Sequence, residues 1–117
     1  MALWKIILYT TATGASPVAD FIDRLDATAQ AKIVNTMHLL REYNVRLGGA
    51  HAKKLAGTDI WEIRILGGDS IRIFYVAIER QTFLLLHGFK KKTFKTPARE
   101  LKVASERLHE YRARNEA

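Results

Sequence analysis

The sequence predicts an α+β fold in a single domain, residues 1–117, with helices packed on a mostly antiparallel sheet in the order β-α-α-β-β-β-α. Three observations predict it. Ser16-Pro17 and Thr96-Pro97 each precede an apolar pattern of helical period. Three strand-like runs follow one another between residues 60 and 89, separated by turns of a few residues. And 48% of the residues are hydrophobic, which is enough for a packed core and too many for a disordered chain.

Residues 2–9 (ALWKIILY) read as the first strand; Lys5 within the run and the lack of a small-residue cleavage site argue against a signal peptide. Small residues make a loop over 10–15. Ser16 then serves as N-cap, Pro17 as the first helical residue and Asp20 as a first-turn acid, with Phe21, Ile22 and Leu25 on the apolar face. A second helix starts near residues 26–28 and runs to about Tyr43, with Ile33, Met37 and Leu40 at helical spacing. The two helices read as an N-terminal hairpin. Gly48-Gly49 ends the second helix, and residues 50–59 read as an exposed connection carrying His51, Lys53 and Lys54. Strands follow over 60–66, 70–78 and 82–89, joined by Gly67-Gly68-Asp69 and by Glu79-Arg80-Gln81. A C-terminal helix places Leu101, Ala104, Leu108 and Tyr111 on one face; its tail beyond Leu108 reads as a solvated extension or a partner contact.

The chain has no cysteine, which excludes a disulfide scaffold, a thiol nucleophile and cysteine-based metal sites. Its four histidines do not fall at metal-ligand spacing, no glycine-rich phosphate loop precedes a helix, and the serines sit in cap, turn and helix contexts. No metal and no small-molecule cofactor is therefore expected. No apolar run approaches the ~20 residues that span a bilayer, so a cytoplasmic protein without a membrane partner is expected. Nineteen Lys and Arg oppose twelve Asp and Glu, a net charge of +7. Residues 87–102 alone hold five Lys and one Arg against one Glu. There Phe89 and Phe94 interleave with Lys90, Lys91, Lys92 and Lys95, a pattern that suits a nucleic acid: cations for phosphates, rings for bases. A solvated lysine-rich loop has the same composition, and Phe89 reads equally as a core residue.

Alternation sets the register of the first hairpin. Trp61, Ile63 and Ile65 share one strand face, and Ile71, Ile73 and Tyr75 share another. Placing these sets together pairs 65 with 71, 63 with 73 and 61 with 75. Arg64 then stands directly opposite Arg72, which costs a few tenths of a kcal/mol or more. Two guanidiniums converging on one phosphate would account for it. A solvated face neutralised by Glu62 and Glu79 is the alternative. His87, on the last strand, suits proton transfer near neutrality, but the uncertain length of the 79–81 turn leaves its face open.

The segments KL at 54–55, DIWEIR at 59–64, SIRIFY at 70–75, LLLHGFKKK at 84–92 and KTPARE at 95–100 resemble the phage-derived branch of the RelE/HigB toxins. These belong to the RelE/ParE superfamily of type II toxin–antitoxin systems. The resemblance spans nearly the whole chain and implies a RelE/ParE-like fold. It implies a ribosome-dependent, metal-independent endoribonuclease that cuts mRNA in the A site and leaves a 2′,3′-cyclic phosphate. It also implies a cognate antitoxin, usually a helix-turn-helix DNA-binding protein. By position, Arg72 matches the family's catalytic strand Arg, Arg64 a basic residue on the preceding strand, Lys91 or Lys92 the basic residue after the last strand, and His87 a catalytic His. Lys53, Lys54, Lys90, Lys92, Phe94 and Lys95 are then the expected RNA-binding residues. The Tyr that follows the last strand in RelE is missing here, where Phe94 and Pro97 stand instead. His87 is accordingly the first candidate for general base and a lysine the second. Gyrase poisoning on the same fold, and a non-catalytic, basic nucleic-acid-binding protein of phage origin, are the alternatives.

Overall fold

The computed structural model describes residues 3–48, 51–65, 67 and 70–115. In chain order the elements are β1 (Lys5–Leu8), α1 (Pro17–Asp23), α2 (Ala27–Tyr43) with a 3₁₀ turn (Asn44–Arg46), β2 (Ala52–Lys54), β3 (Trp61–Arg64), β4 (Ile71–Ile78), β5 (Thr82–Lys90) and α3 (Ala98–Asn115). The strands form one sheet in the order β1-β5-β4-β3-β2. Neighbours are antiparallel except β1 and β5, which run parallel. Expected features at Ala2, Gly49, Ala50, Leu66, Gly68 and Asp69 lie outside the described residues. Among the described residues no helix is long and apolar enough to cross a membrane.

The fold is α+β, but its order departs from the expected one by a strand. Residues 52–54, expected as part of a connection, form β2 on β3, with Lys53 opposite Glu62. Opposite charges facing each other across two strands favour the pairing. The sheet is consequently five-stranded and mixed. The expected helical hairpin is not matched either. α1 rests on β5, where the Phe21 ring occupies the space a side chain at Gly88 would need; a Cβ there would lie 2.5 Å from the ring. α2 lies instead beside β1. Pro17 opens α1 as expected, whereas the Ser16 side chain makes no cap bond. Asp26 does cap α2, accepting from the Ala29 amide at 2.8 Å.

The sheet separates two cores. One face packs Ile33 and Leu40 of α2 and Val18 of α1 on Ile63, Ile71, Ile73, Tyr75 and Leu85. The other packs Ala104 and Leu108 of α3 on Phe74, Val76, Leu84, Leu86 and Phe89. Each fully buried Leu or Phe contributes about 1.5–3 kcal/mol, so both faces of β4 and β5 are structural. The tail of α3 is largely solvated, as one expectation had it, and is also anchored. Tyr9 Oη donates to Glu110 Oε1 (2.5 Å), and Arg114 Nη2 donates to the Thr10 carbonyl (2.6 Å).

Ile78 pairs with Thr82, leaving a three-residue turn at 79–81. Counting on from it would set Leu86 opposite Phe74. The pairing slips between Phe74 and Tyr75, however: Tyr75 pairs with Leu85, and Phe74 with His87. Leu86 is the extra residue of a β-bulge. From there on, His87 and Phe89 face α3, while Gly88 faces α1.

Candidate functional site

β3 and β4 pair in the register that alternation predicts: Trp61 with Tyr75, Glu62 with Phe74, Ile63 with Ile73 and Arg64 with Arg72. Phe74 lies in the core beneath α3, so Glu62, Arg64 and Arg72 occupy that face too. Beyond β5, the Lys91 amide donates to the Ser70 carbonyl (2.8 Å), which extends the ladder and brings Lys91 beside the arginines. An open cavity of about 460 Å³ is lined by Arg64, Ser70, Arg72, Lys91, Lys92, Thr93 and Phe94.

Two of the cavity's cations, Arg72 and Lys91, lie against one buried carboxylate. Glu62 is 3% exposed. Its Oε1 accepts from Thr96 Oγ1 at 2.7 Å, and its Oε2 lies 3.6 Å from Arg72 Nε and 4.0 Å from Lys91 Nζ. The Arg72 Nη1 donates to the Ile71 carbonyl (3.2 Å), but its Nε is buried with no hydrogen-bond partner among the described residues. Burial, and then the neighbouring Arg64, pull the Arg72 guanidinium below its ordinary value, with Glu62 opposing them. Arginine keeps its proton regardless. Arg72 and Lys91 thus share one carboxylate while Arg64 adds a third positive charge beside them, and an anion in the cavity would relieve the imbalance. Glu79, the other expected neutraliser, is exposed in the β4–β5 turn, away from the arginines.

His87 reaches this face through the bulge, but it does not line the cavity. Its ring stacks on Phe89 (5.6 Å between centroids, 17° between planes). Nε2 lies 2.9 Å from Glu100 Oε1, and Nδ1 lies 3.2 Å from Arg107 Nη1, which also donates to the Leu86 carbonyl at 2.9 Å. Arginine can only donate, so Nδ1 accepts and the hydrogen belongs on Nε2, where it is given to Glu100. This pattern assigns His87 the neutral Nε2–H tautomer, with its lone pair occupied.

The expected RNA-binding residues divide. Lys92 and Phe94 line the cavity, and Phe94 is fully exposed at 104%. Lys95 is exposed on the same loop. Lys53, paired with Glu62, shares the face of the arginines. Lys54 pairs with Trp61 and Lys90 with Ile71, so both belong to the opposite face. Reasoning from sequence missed Thr96, Glu100 and Arg107. Thr96 reads as a helix start, yet its hydroxyl holds Glu62. Glu100 and Arg107 were legible only as helix positions that share the stripe of Ala104 and Leu108.

A search of the curated proteins finds no match. The family model for phage derived protein Gp49-like (DUF891) matches residues 20–109. That stretch contains all of α2, strands β2 to β5 and most of α3, including every residue around the cavity. The match covers most of the chain, so the chain belongs to the Gp49-like family of phage-derived proteins, a RelE/HigB-like toxin family.

Proposed function

We propose that the chain is the toxin of a type II toxin–antitoxin pair and a ribosome-dependent, metal-independent mRNA endoribonuclease acting in the cytoplasm. Family membership implies a cognate antitoxin, here read as a helix-turn-helix DNA-binding protein. The observation that carries the reading is the Arg64–Arg72 rung beside Lys91, three cations lining a cavity open to solvent with one buried carboxylate against two of them. Folding alone gives no reason to oppose two arginines; a phosphodiester does.

In this reading Arg64 and Arg72 hold the non-bridging oxygens and stabilise the charge that grows there as the 2′-oxygen attacks phosphorus. The 2′-oxygen–phosphorus bond forms, the bond to the 5′-oxygen breaks, and Lys91 gives that oxygen its proton. Phe94 stacks on an unpaired base, with Lys53, Lys92 and Lys95 along the strand. His87 takes the 2′-hydroxyl proton once RNA draws Arg107 from Nδ1. Lys54 and Lys90 face away from this path and serve outer contacts with ribosomal RNA.

A second reading, binding without cleavage, is favoured by the engagement of both His87 ring nitrogens. Expression from a tightly repressed promoter, beside an Arg72→Ala control, with new mRNA 5′ ends mapped, separates the two. Growth arrest with in-frame cuts that the control lacks is expected. Soluble protein without arrest supports binding alone, and arrest with DNA-damage signalling but no cuts supports gyrase poisoning.

A further inference from the structure

On the α1/α2 face, away from the arginines, a second open cavity of about 550 Å³ lies between β1 and α2. Its floor is apolar: Ile6, Leu8, Ile22, Ile33, Met37 and Leu85. Val34, on its α2 wall, is 54% exposed. The other wall is an open sheet edge. β1 is the last strand of the sheet, with β5 on one side and no described strand on the other. Lys5 and Tyr9 direct their amides to β5, donating to the carbonyls of Gln81 and Leu85, each at 2.9 Å. Alternation turns the amides of Ile6 and Leu8 the other way. Trp4 shows that direction: its amide donates to the Arg41 carbonyl (3.4 Å), and its carbonyl accepts from Arg41 Nε (3.1 Å). The end of α2 therefore closes the edge at Trp4, and the edge opens at Ile6.

An apolar trough beside outward-facing strand amides fits an extended segment better than a helix, because main-chain bonds and alternate side chains are satisfied together. The charge around it selects the partner. The titratable residues lining the cavity are Lys5, His38 and Arg41, with no carboxylate among them. A second copy of this chain would bring two such rims together, each on a molecule of charge +7.

We propose that this edge receives an extended segment of the antitoxin, in which apolar residues alternate with Asp or Glu, added as a strand to β1. The proposal rests on the toxin reading for the identity of the partner. The seat is at the opposite side of the sheet from β3, so its occupant leaves the cation-lined cavity uncovered, and binding here is measurable without any assay of RNA cleavage.

The test pans a displayed library of eight-residue peptides with alternating apolar and acidic positions on the intact protein. A control library carries the same residues at helical spacing. The best binder is then followed by hydrogen–deuterium exchange. The expected result is enrichment of alternating peptides, protection of the Ile6 and Leu8 amides, and at least about tenfold weaker binding to Val34→Glu, which sets a carboxylate against the acidic segment. Three outcomes overturn the proposal: no enrichment, enrichment of the helical library, or protection confined to the cation-lined cavity or α3. Concentration-dependent protection of Ile6 and Leu8 without peptide also overturns it, by identifying a second copy as the occupant. RNA cleavage that fails while peptide binding holds would sink the nuclease reading alone.

Discussion

Replacing Glu62 with glutamine keeps the shape of the side chain and an acceptor for Thr96, and deletes the one charge that Arg72 and Lys91 share. At an effective dielectric of about 20, contacts of 3.6 and 4.0 Å correspond to roughly 5 and 4 kcal/mol of gross attraction. Removing a carboxylate that is 3% exposed returns several kcal/mol of desolvation cost. Arg72 and Lys91, at 12% and 10% exposure, also reach some solvent through the cavity. The expected net loss is about 3 kcal/mol, at the low end for a broken buried pair. For 117 residues that is a fall of about 12 °C in Tm. Because the loss is uncompensated positive charge, an anion should restore it. Thermal unfolding of Glu62→Gln and the parent protein, in chloride and in phosphate at matched ionic strength, measures this. Phosphate should raise the Tm of the variant by several degrees more than that of the parent, since ligand bound to the native state stabilises it. A variant as stable as the parent, or an equal gain from phosphate in both, would refute the argument that the site is short of negative charge.

Arg64→Ala removes a like-charge neighbour from an exposed position, so stability should stay level or rise by a few tenths of a kcal/mol while toxicity is lost; a destabilised variant in urea titration contradicts the repulsion. Phe94→Ala should alter stability by less than about 0.5 kcal/mol and weaken single-stranded RNA binding, read by fluorescence anisotropy, by about 1–3 kcal/mol. The α3 tail should show two pH limits. Hydrogen bonds from Tyr9 and then Arg114 hold the Glu110 carboxyl below its usual range, so its contribution is full above about pH 5 and fades as pH falls through the lowered value. Burial, and then Glu110, push the Tyr9 phenol up, so its contribution is full below about pH 9 and fades as pH rises through the raised value. Amide exchange over residues 110–115, corrected for intrinsic rates, should be slowest between those limits, and Glu110→Gln should abolish the acid limb and weaken the alkaline one without removing it.

The hairpin of β3 and β4 was legible because each strand has one apolar face in strict alternation, and only one register joins Trp61, Ile63 and Ile65 to Ile71, Ile73 and Tyr75. The arginine rung followed from it. β2 was not legible: three residues, Ala52, Lys53 and Lys54, carry no pattern, and their pairing depends on Glu62, nine residues beyond Lys53. Nor does anything local in residues 5–8 name β5 as a parallel partner; the stacking of Trp4 on Phe83, at 4.5 Å, exists only in three dimensions. The bulge was hidden for a different reason. Phe83, Leu84, Leu85 and Leu86 are buried on both faces of the sheet, so the run has no period to interrupt. The locked state of His87 could not be read because Glu100 and Arg107 lie on a helix whose docking no strand pattern foretells.

The bulge also bears on how such a strand tolerates length change. Deleting Leu86 would restore a regular ladder with Tyr75 still opposite Leu85 and Phe74 still opposite His87, so every later residue would keep its partner and its face. The loss would be confined to one buried leucine and to the carbonyl that Arg107 bonds. Losing one residue anywhere else between Thr82 and Leu85 offers the strand a choice: give up the bulge or swap the faces of its first half. A single-codon deletion at this point is therefore an event that the hairpin can absorb, and the side of the sheet taken by His87 and Phe89 is inherited through pairing with β4 rather than through distance along the chain.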